Sequence, residues 1–333
     1  MIAQIDKEYI KKRPTKLYSR LLSYSLFEGR PLTTQGRWIN PLIFALFNIE
    51  KRIPAPKSVQ KPIFIVGTGR SGTTVLGIVL SIHPNVGFLN EPKAIWHSAY
   101  DREDLIGSYS REDAKYRLGA LEATQSVKKS MHRLFGWYLT LTGSSRVVDK
   151  YPELVFRLPF VKKIFPDAKF LFLTRNGWDT CYSIQNWSKR LGKQKIRETH
   201  DWWGIDKRKW KLLVEQLVPE HPSLAAHTKE IAGFTRHTDM AAVEWIITMR
   251  EGLRLQVEYP KDVHTVIYEN LCLETSKTLT ALREFCELAI DKKFDEYAKK
   301  ILHPVEPKPP FELHPTIQAE FNVVMRELGY SSG

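Results

Sequence analysis

The stretch from Pro62 to Pro84 constrains the fold more than any other part of the chain. Pro62-Ile63-Phe64-Ile65-Val66 is a continuous apolar run, the pattern of a parallel strand buried on both faces. A glycine-rich turn follows, Gly67-Thr68-Gly69-Arg70-Ser71-Gly72-Thr73-Thr74. Thr73–His83 then carries Val75, Leu76, Val79, Leu80 and Ile82 as the buried stripe of a helix that Pro84 stops.

The pattern recurs. Arg146–Val148, Lys169–Leu173 and Val263–Tyr268 read as strands, and Glu153–Phe165, Trp178–Trp187 and Thr275–Leu288 as the helices after them. Strand–helix alternation predicts an α/β fold with a P-loop-like parallel sheet flanked by helices. Residues 1–60 read as a basic N-terminal extension ending in the stiff Ile53-Pro54-Ala55-Pro56, and 61–333 as the main domain. Within it, residues 188–240 form an insertion rich in Lys, Arg, Trp and His, with a solvated helical hairpin as its plainest form. Thr316–Leu328 predicts a last helix behind the proline-rich 304–315.

The formal net charge is +13. It suits nucleic acid, an anionic membrane or a nucleotide with several phosphates, and does not choose among them. The three cysteines, Cys181, Cys272 and Cys286, are far apart and form no CxxC pair, which argues against a disulfide framework and a structural zinc site. A reducing cytoplasmic interior is the simplest home. The apolar stretch Ile39–Ile49 is interrupted by Asn40, Pro41 and Asn48 and falls short of the roughly 20 residues a membrane span needs. A core-packing arm is the reading for it, with residues 20–50 as the place for any peripheral membrane contact.

Three chemistries compete for the glycine loop. Gly67, Gly69 and Gly72 satisfy a dinucleotide fingerprint with Glu91 near the ribose-acid spacing. No strong strand is expected to lead into Glu91, however, and Arg70 stands where such loops carry small neutral residues. A nucleoside triphosphatase would need a lysine where Thr73 stands and a magnesium-binding Asp, but Lys169–Leu173 runs into Thr174 and Arg175. A phosphosulfate site fits better. A sulfuryl group carries less charge than a phosphoryl group, so fixed donors and a cation suffice, and Arg70, Thr73 and Thr74 supply them without a metal.

The residues also carry a resemblance. Pro62–Thr74 resembles the 5′-phosphosulfate motif of the sulfotransferases that use 3′-phosphoadenosine 5′-phosphosulfate (PAPS). Leu171–Ser183 resembles the family's second motif, which implies that Arg175 and Ser183 hold the donor's 3′-phosphate. Ser81–Glu91 is similar to the segment of tyrosylprotein and glycan sulfotransferases that bears a glutamate base. Asp149-Lys150-Tyr151-Pro152 is similar to their lysine loop, and Val266–Leu271 to a strand whose tyrosine, here Tyr268, lies near the adenine. The likeness spans residues 62–183 and about 263–330. Where some relatives carry an arginine four residues after the serine, this chain has Trp187, so the 3′-phosphate grip calls for another group such as Lys308.

The resemblance implies a donor site of Gly69, Arg70, Ser71, Gly72, Thr73, Thr74, Arg175, Ser183 and Tyr268, releasing PAP, the 3′,5′-bisphosphate. Glu91 is the expected base, with its pKa raised by desolvation, and Arg70 and Lys150 the expected cations. His97 is the alternative base, His83 a capping residue, and the Asn186-Trp187-Ser188 sequon a chance match. The expected acceptor is a hydroxyl of a carbohydrate or glycolipid, gripped by the aromatic insertion, with tyrosine in a peptide as second choice. A nucleic-acid-binding protein would explain the charge, but no recognition motif accompanies it.

Overall fold

A computed structural model describes residues 2–31, 36–194 and 197–331. Residues 32–35 of the expected extension, 195–196 of the expected insertion and the terminal residues 1, 332 and 333 lie outside the described residues.

In chain order, short helices α1 (Lys7–Lys12) and α2 (Lys16–Leu22) precede α3 (Asn40–Glu50). Then come β1 (Ile63–Gly67), α4 (Thr73–Ser81), β2 (Val86–Asn90), α5 (Lys93–Ala99) and α6 (Gln125–Thr142). The centre holds β3 (Arg146–Lys150), α7 (Leu158–Ile164), β4 (Lys169–Thr174) and α8 (Gly177–Leu191). A small antiparallel sheet follows, made of β5 (Lys193–Gln194), β6 (Thr199–Asp201) and β7 (Gly204–Ile205). Helices α9 (Arg208–Gln216), α10 (Thr228–Ala232) and α11 (His237–Glu258) lead to β8 (Val263–Ile267), α12 (Tyr268–Leu273), α13 (Thr275–Cys286), α14 (Lys292–Ile301) and α15 (Pro315–Glu327).

The main sheet has five strands in the order β2-β3-β1-β4-β8, and every pairing is parallel. Alternate residues serve opposite cores because side chains of a strand point to opposite faces. Phe64, Val66, Phe170 and Phe172 pack with α6, α7, α8, α11 and α15. Ile63, Ile65, Leu171 and Leu173 pack with α4, α13 and α14. Both faces are covered, which is why β1 and β4 read as unbroken apolar runs.

Several expectations are corrected. A strand does lead into Glu91: β2 is five residues long and contains Gly87, where a Cβ would come within 2.8 Å of the Tyr138 ring. Glycine is needed for that approach, and it breaks the apolar run that marks a strand. The lack of a strand therefore no longer counts against the dinucleotide reading; Arg70 in the loop still does. Tyr268 opens α12 rather than ending β8. The segment after β3 is a 3₁₀ turn, Pro152–Arg157, before α7 begins at Leu158, with Pro159 at its first turn. Residues 188–240 are no helical hairpin, since α8 runs on to Leu191 and the small sheet follows.

The N-terminal residues are woven into both cores. Tyr9 is buried with Ile63 and Leu76, while Phe27, Ile43 and Phe47 join the opposite core. Lys16 donates to the Val86 carbonyl at 2.6 Å and Arg20 to the Phe88 carbonyl at 3.1 Å. These side chains occupy acceptors on β2, an edge strand whose outer groups would otherwise be open to another chain. Arg20 is also ion-paired with Glu28, whose carboxylate accepts from the Asn90 N–H at 2.9 Å.

Candidate active site

The carboxyl ends of the five strands meet along one edge of the sheet. In spatial order they deliver Glu91 after β2, Lys150 at the end of β3, the glycine loop after β1, Arg175 after β4 and Tyr268 after β8. The carboxyl edge of an open parallel sheet is where such folds hold ligands.

The loop is shaped by local chemistry. Ser71 is fully buried, and its hydroxyl donates to the Thr68 carbonyl at 2.6 Å, closing the turn. Gly72 caps α4 with φ +102°, and a Cβ there would collide with the Tyr268 ring. Thr73 and Thr74 open the helix, where first-turn N–H groups have no partner within the helix and attract an anion. Thr73 is itself buried. Gly69 lies under the Trp202 ring so closely that a Cβ would overlap it. Arg70 and Glu91, though not glycine, both sit at positive φ (72° and 53°). Two residues held in that costly region mark a site whose surroundings over-determine them.

Beside the loop lies a cavity of about 290 Å³ whose lining includes Arg70, Arg175, Ser183, Trp187, Arg190 and Lys308. Arg70 Nε donates to Ser183 Oγ at 3.1 Å, and Arg175 Nη1 to the Arg70 carbonyl at 3.2 Å. The Arg175 guanidinium lies 4.5 Å from the centre of the Tyr268 ring, and its Nε is buried without a hydrogen-bond partner. Asp179, 3.8 Å from Arg175, is the one acid in the lining and also accepts from the Lys308 N–H at 2.7 Å. Burial, then Arg190 and Arg175, push the Arg70 pKa down, with Glu91 opposing them. Four cations facing one carboxylate make the cavity favourable for a multiply charged anion.

On the other side of the loop a smaller cavity, about 100 Å³, is lined by Gly69, Glu91, Lys93, Trp187, Trp202 and Lys209 among others. Glu91 is ion-paired with Lys150 through one oxygen and stands 3.4 Å from Lys93 through the other. Lys93 continues to Glu153 at 3.7 Å, Glu153 to Lys209 at 3.0 Å and Lys209 to Glu244 at 2.5 Å. Glu244 accepts from Trp202 Nε1 at 2.8 Å, which brings the chain back to the ring over Gly69. Burial alone would raise the pKa of Glu91, but Lys150 and Lys93 outweigh it and the net shift is downward. The expected upward shift is thereby reversed, because two cations reach the carboxylate. Burial likewise fails to win at Glu153, which Lys209 and Lys93 hold below the ordinary range.

The expected residues thus fall into two groups, one at each cavity. Trp187 lines both, and its ring meets Trp202 edge to face at 5.5 Å. Lys308, expected as a substitute for an arginine at Trp187, does share the cavity of Arg175 and Ser183. His97 lies instead against Phe44 and Tyr109, with ring centres 5.9 and 5.5 Å away. His83 is buried at the Ala289 carbonyl, 3.0 Å. The structure adds Arg190, Lys93, Glu153, Lys209 and Glu244. Arg190 is two turns past Ser183 on the same helix, a spacing that would have found it had α8 been drawn beyond Trp187.

Residues 62–222 match the sequence profile of the Sulfotransferase family. An uncharacterized protein of Aquifex aeolicus (strain VF5) is 22% identical over 244 residues, which cover 72% of this chain and 27% of that protein. The protein-tyrosine sulfotransferase of Drosophila melanogaster is 32% identical over 125 residues, covering 37% of this chain and 24% of its own. The chain therefore spans about a quarter of the length of these relatives. Among solved structures, the sulfotransferase domain from the curacin biosynthetic pathway superposes with TM-score 0.49 at 15% identity, over 83% of this chain and 99% of that one.

Proposed function

We propose that this chain, whose residues 62–222 match the Sulfotransferase family, transfers a sulfuryl group from PAPS to a hydroxyl. The observation that carries this reading is the cavity in which Arg70, Arg175, Arg190, Lys308 and Ser183 converge beside the glycine loop. A donor charged at both ends suits it. The 3′-phosphate fits the guanidinium of Arg175 with Ser183, Arg190 and Lys308, and the phosphosulfate fits the loop and the first turn of α4.

In this reading the acceptor oxygen attacks sulfur in line with the departing phosphate oxygen. A new O–S bond forms as the old one breaks, and PAP leaves with the electron pair. Glu91 takes the hydroxyl proton. Arg70 neutralises charge on the sulfuryl oxygens, and Lys150, now paired with Glu91, shares that work as the carboxylate becomes neutral. The lowered pKa of Glu91 keeps it ionised and ready to accept at neutral pH.

The acceptor reading is a carbohydrate or glycolipid, with the enzyme in the cytoplasm at a membrane surface. Support comes from the 100 Å³ cavity, where Trp187 and Trp202 offer ring faces and edges while Glu91, Glu153, Asp201 and Lys93 offer hydrogen bonds. A tyrosine acceptor is the second reading, favoured by the match to the Drosophila protein-tyrosine sulfotransferase. Incubation with PAPS and a panel of glycans, glycolipids and tyrosine peptides decides between them by the mass gain of one SO₃. Thermal shift tests the donor: PAP should raise Tm, whereas oligonucleotides and NAD should not, and a shift from either in place of PAP overturns the reading.

A further inference from the structure

Helix α3 is apolar on both its sides. Ile43 and Phe47 point into the core, while Leu42 and Ile49 on the outer side are 62% and 56% exposed. Trp38, one turn before Leu42, is 82% exposed, and Ile53, one turn after Ile49, is 47% exposed. The four residues recur at helical spacing and form one outward ledge. Burying a tryptophan and three aliphatic side chains is worth far more than leaving them in water.

The ledge is ringed by cations. Residues 36–61 contain Arg37, Lys51, Arg52, Lys57 and Lys61, and a single acid, Glu50. Lys61 is paired with Glu287, which leaves Arg37 at one end and the exposed Arg52 at the other, beside the half-buried Lys51 and Lys57, whose ammonium groups donate to the Ser98 and Ser144 carbonyls at 2.8 and 2.7 Å without neutralising their charge. Glu50 faces inward, with both carboxylate oxygens buried and without a hydrogen-bond partner. Burial pushes its pKa up to about 8, so it offers the ledge no counter-charge at neutral pH.

The same element is tied to the side of the molecule that carries Glu91. Arg37 Nη2 donates to the Ser108 carbonyl at 2.9 Å, and the Phe44 ring packs edge-on against Tyr109 at 5.4 Å. Tyr109 lines a cavity of about 160 Å³ together with Tyr24, Arg30, Pro31, Glu91 and Lys93. Asn40, the first residue of α3, exchanges two hydrogen bonds with the backbone of Arg30, at 2.9 and 3.0 Å. Helix α3 therefore adjoins, through Phe44 and Asn40, the wall of the cavity that includes Glu91.

We infer that the ledge of Trp38, Leu42, Ile49 and Ile53, with its flanking Arg37, Lys51, Arg52 and Lys57, is a docking surface for an anionic lipid bilayer. An exposed tryptophan beside aliphatic side chains and a cationic rim is the make-up of a helix that lies in the interface of a membrane. No described helix is long and apolar enough to cross one. A second copy of the chain is the poorer occupant. A two-fold contact would set the same four cations against each other with no ionised acid between them. The docking does not depend on the role of Glu91 given above.

The test is co-sedimentation of the full chain with vesicles of phosphatidylcholine alone and of equimolar phosphatidylcholine and phosphatidylserine. The chain should pellet with the mixed vesicles, far less with the neutral ones, and less again as salt is raised. The variant W38S/L42S/I49S should lose at least tenfold in vesicle affinity, and Arg52→Glu should weaken it severalfold. Both should keep the parent Tm and PAP affinity, since these side chains are exposed and far in sequence from the donor residues. Failure of the parent chain to pellet with mixed vesicles overturns the inference. So does equal pelleting by the serine variant, or a dimer in solution that the serine variant abolishes. Vesicle binding is read without donor or acceptor, so its failure is distinct from a failure of sulfuryl transfer.

Discussion

Lys93 holds the second carboxylate oxygen of Glu91 from 3.4 Å while Lys150 takes the first. The carboxylate of the proposed base is thus fixed between two buried cations, and its proton affinity is set by them. Lys93→Met removes one cation and should raise the pKa of Glu91. The base works when ionised, so activity falls as pH drops through that pKa. In the variant the acid limb of the kcat profile should move to higher pH, by about half a unit to one unit. An unmoved limb would mean that Glu91 is not the titrating base.

Glu91→Gln keeps the shape of the side chain and removes its basicity. Turnover should fall by about 10²–10⁴-fold, while PAP affinity measured by calorimetry should stay within about threefold. Retained turnover would transfer the role to another residue.

Arg175→Ala and Arg190→Ala should each weaken PAP by about tenfold or more, as expected for a charge-assisted contact worth about 1.5–3 kcal/mol. Adenosine 5′-phosphosulfate, which lacks the 3′-phosphate, should be affected much less. Equal losses for the two ligands would remove these arginines from the 3′-phosphate.

Much of this architecture is legible in the sequence. Ile63–Val66 and Phe170–Leu173 announce themselves because a strand buried on both faces has no polar positions. β2 does not, being short and broken by Gly87. The two proposed anion sites are legible because each is built from residues next to a strand end, Arg70 after β1 and Arg175 after β4. The chain of charges from Glu91 through Lys93, Glu153, Lys209 and Glu244 is not. Its members come from four separate stretches, and no spacing joins residues that meet only when α5, α9 and α11 pack together. The exposed side of α3 hides for the opposite reason, since an apolar residue reads the same whether it faces the core or the solvent.

Gly72→Ala should cost more than 1 kcal/mol of stability, because the position has φ +102° and a methyl group there meets the Tyr268 ring. The same change should weaken PAP, since it displaces both the cap of α4 and the ring stacked on Arg175. Chemical denaturation and PAP titration of one preparation would check both effects.

Glu50 predicts a pH dependence of folding. Its pKa is about 8 in the fold against an ordinary 4.5, so the folded chain keeps a proton that the unfolded chain releases. The associated stability is complete below about pH 4.5 and is lost as pH rises toward 8, at up to about 1.4 kcal/mol per pH unit. Glu50→Gln lacks this loss, so its Tm should exceed that of the parent by a margin that widens from pH 5 to pH 8. A constant margin would mean that Glu50 is already ionised in the fold.

The order of the strands also sets a length. Neighbouring strands lie about 4.8 Å apart, so the carboxyl edge is graduated like a ruler. Glu91 stands two graduations from the glycine loop on one side, and Arg175 one on the other. In the proposed reading a donor is measured as well as bound: its sulfur is to reach toward Glu91 while its far phosphate meets Arg175. Nucleotides with the right charges but one phosphate more or fewer between those ends should bind out of register, and the backbone of the sheet, which no single side-chain change can rescale, would be what rejects them.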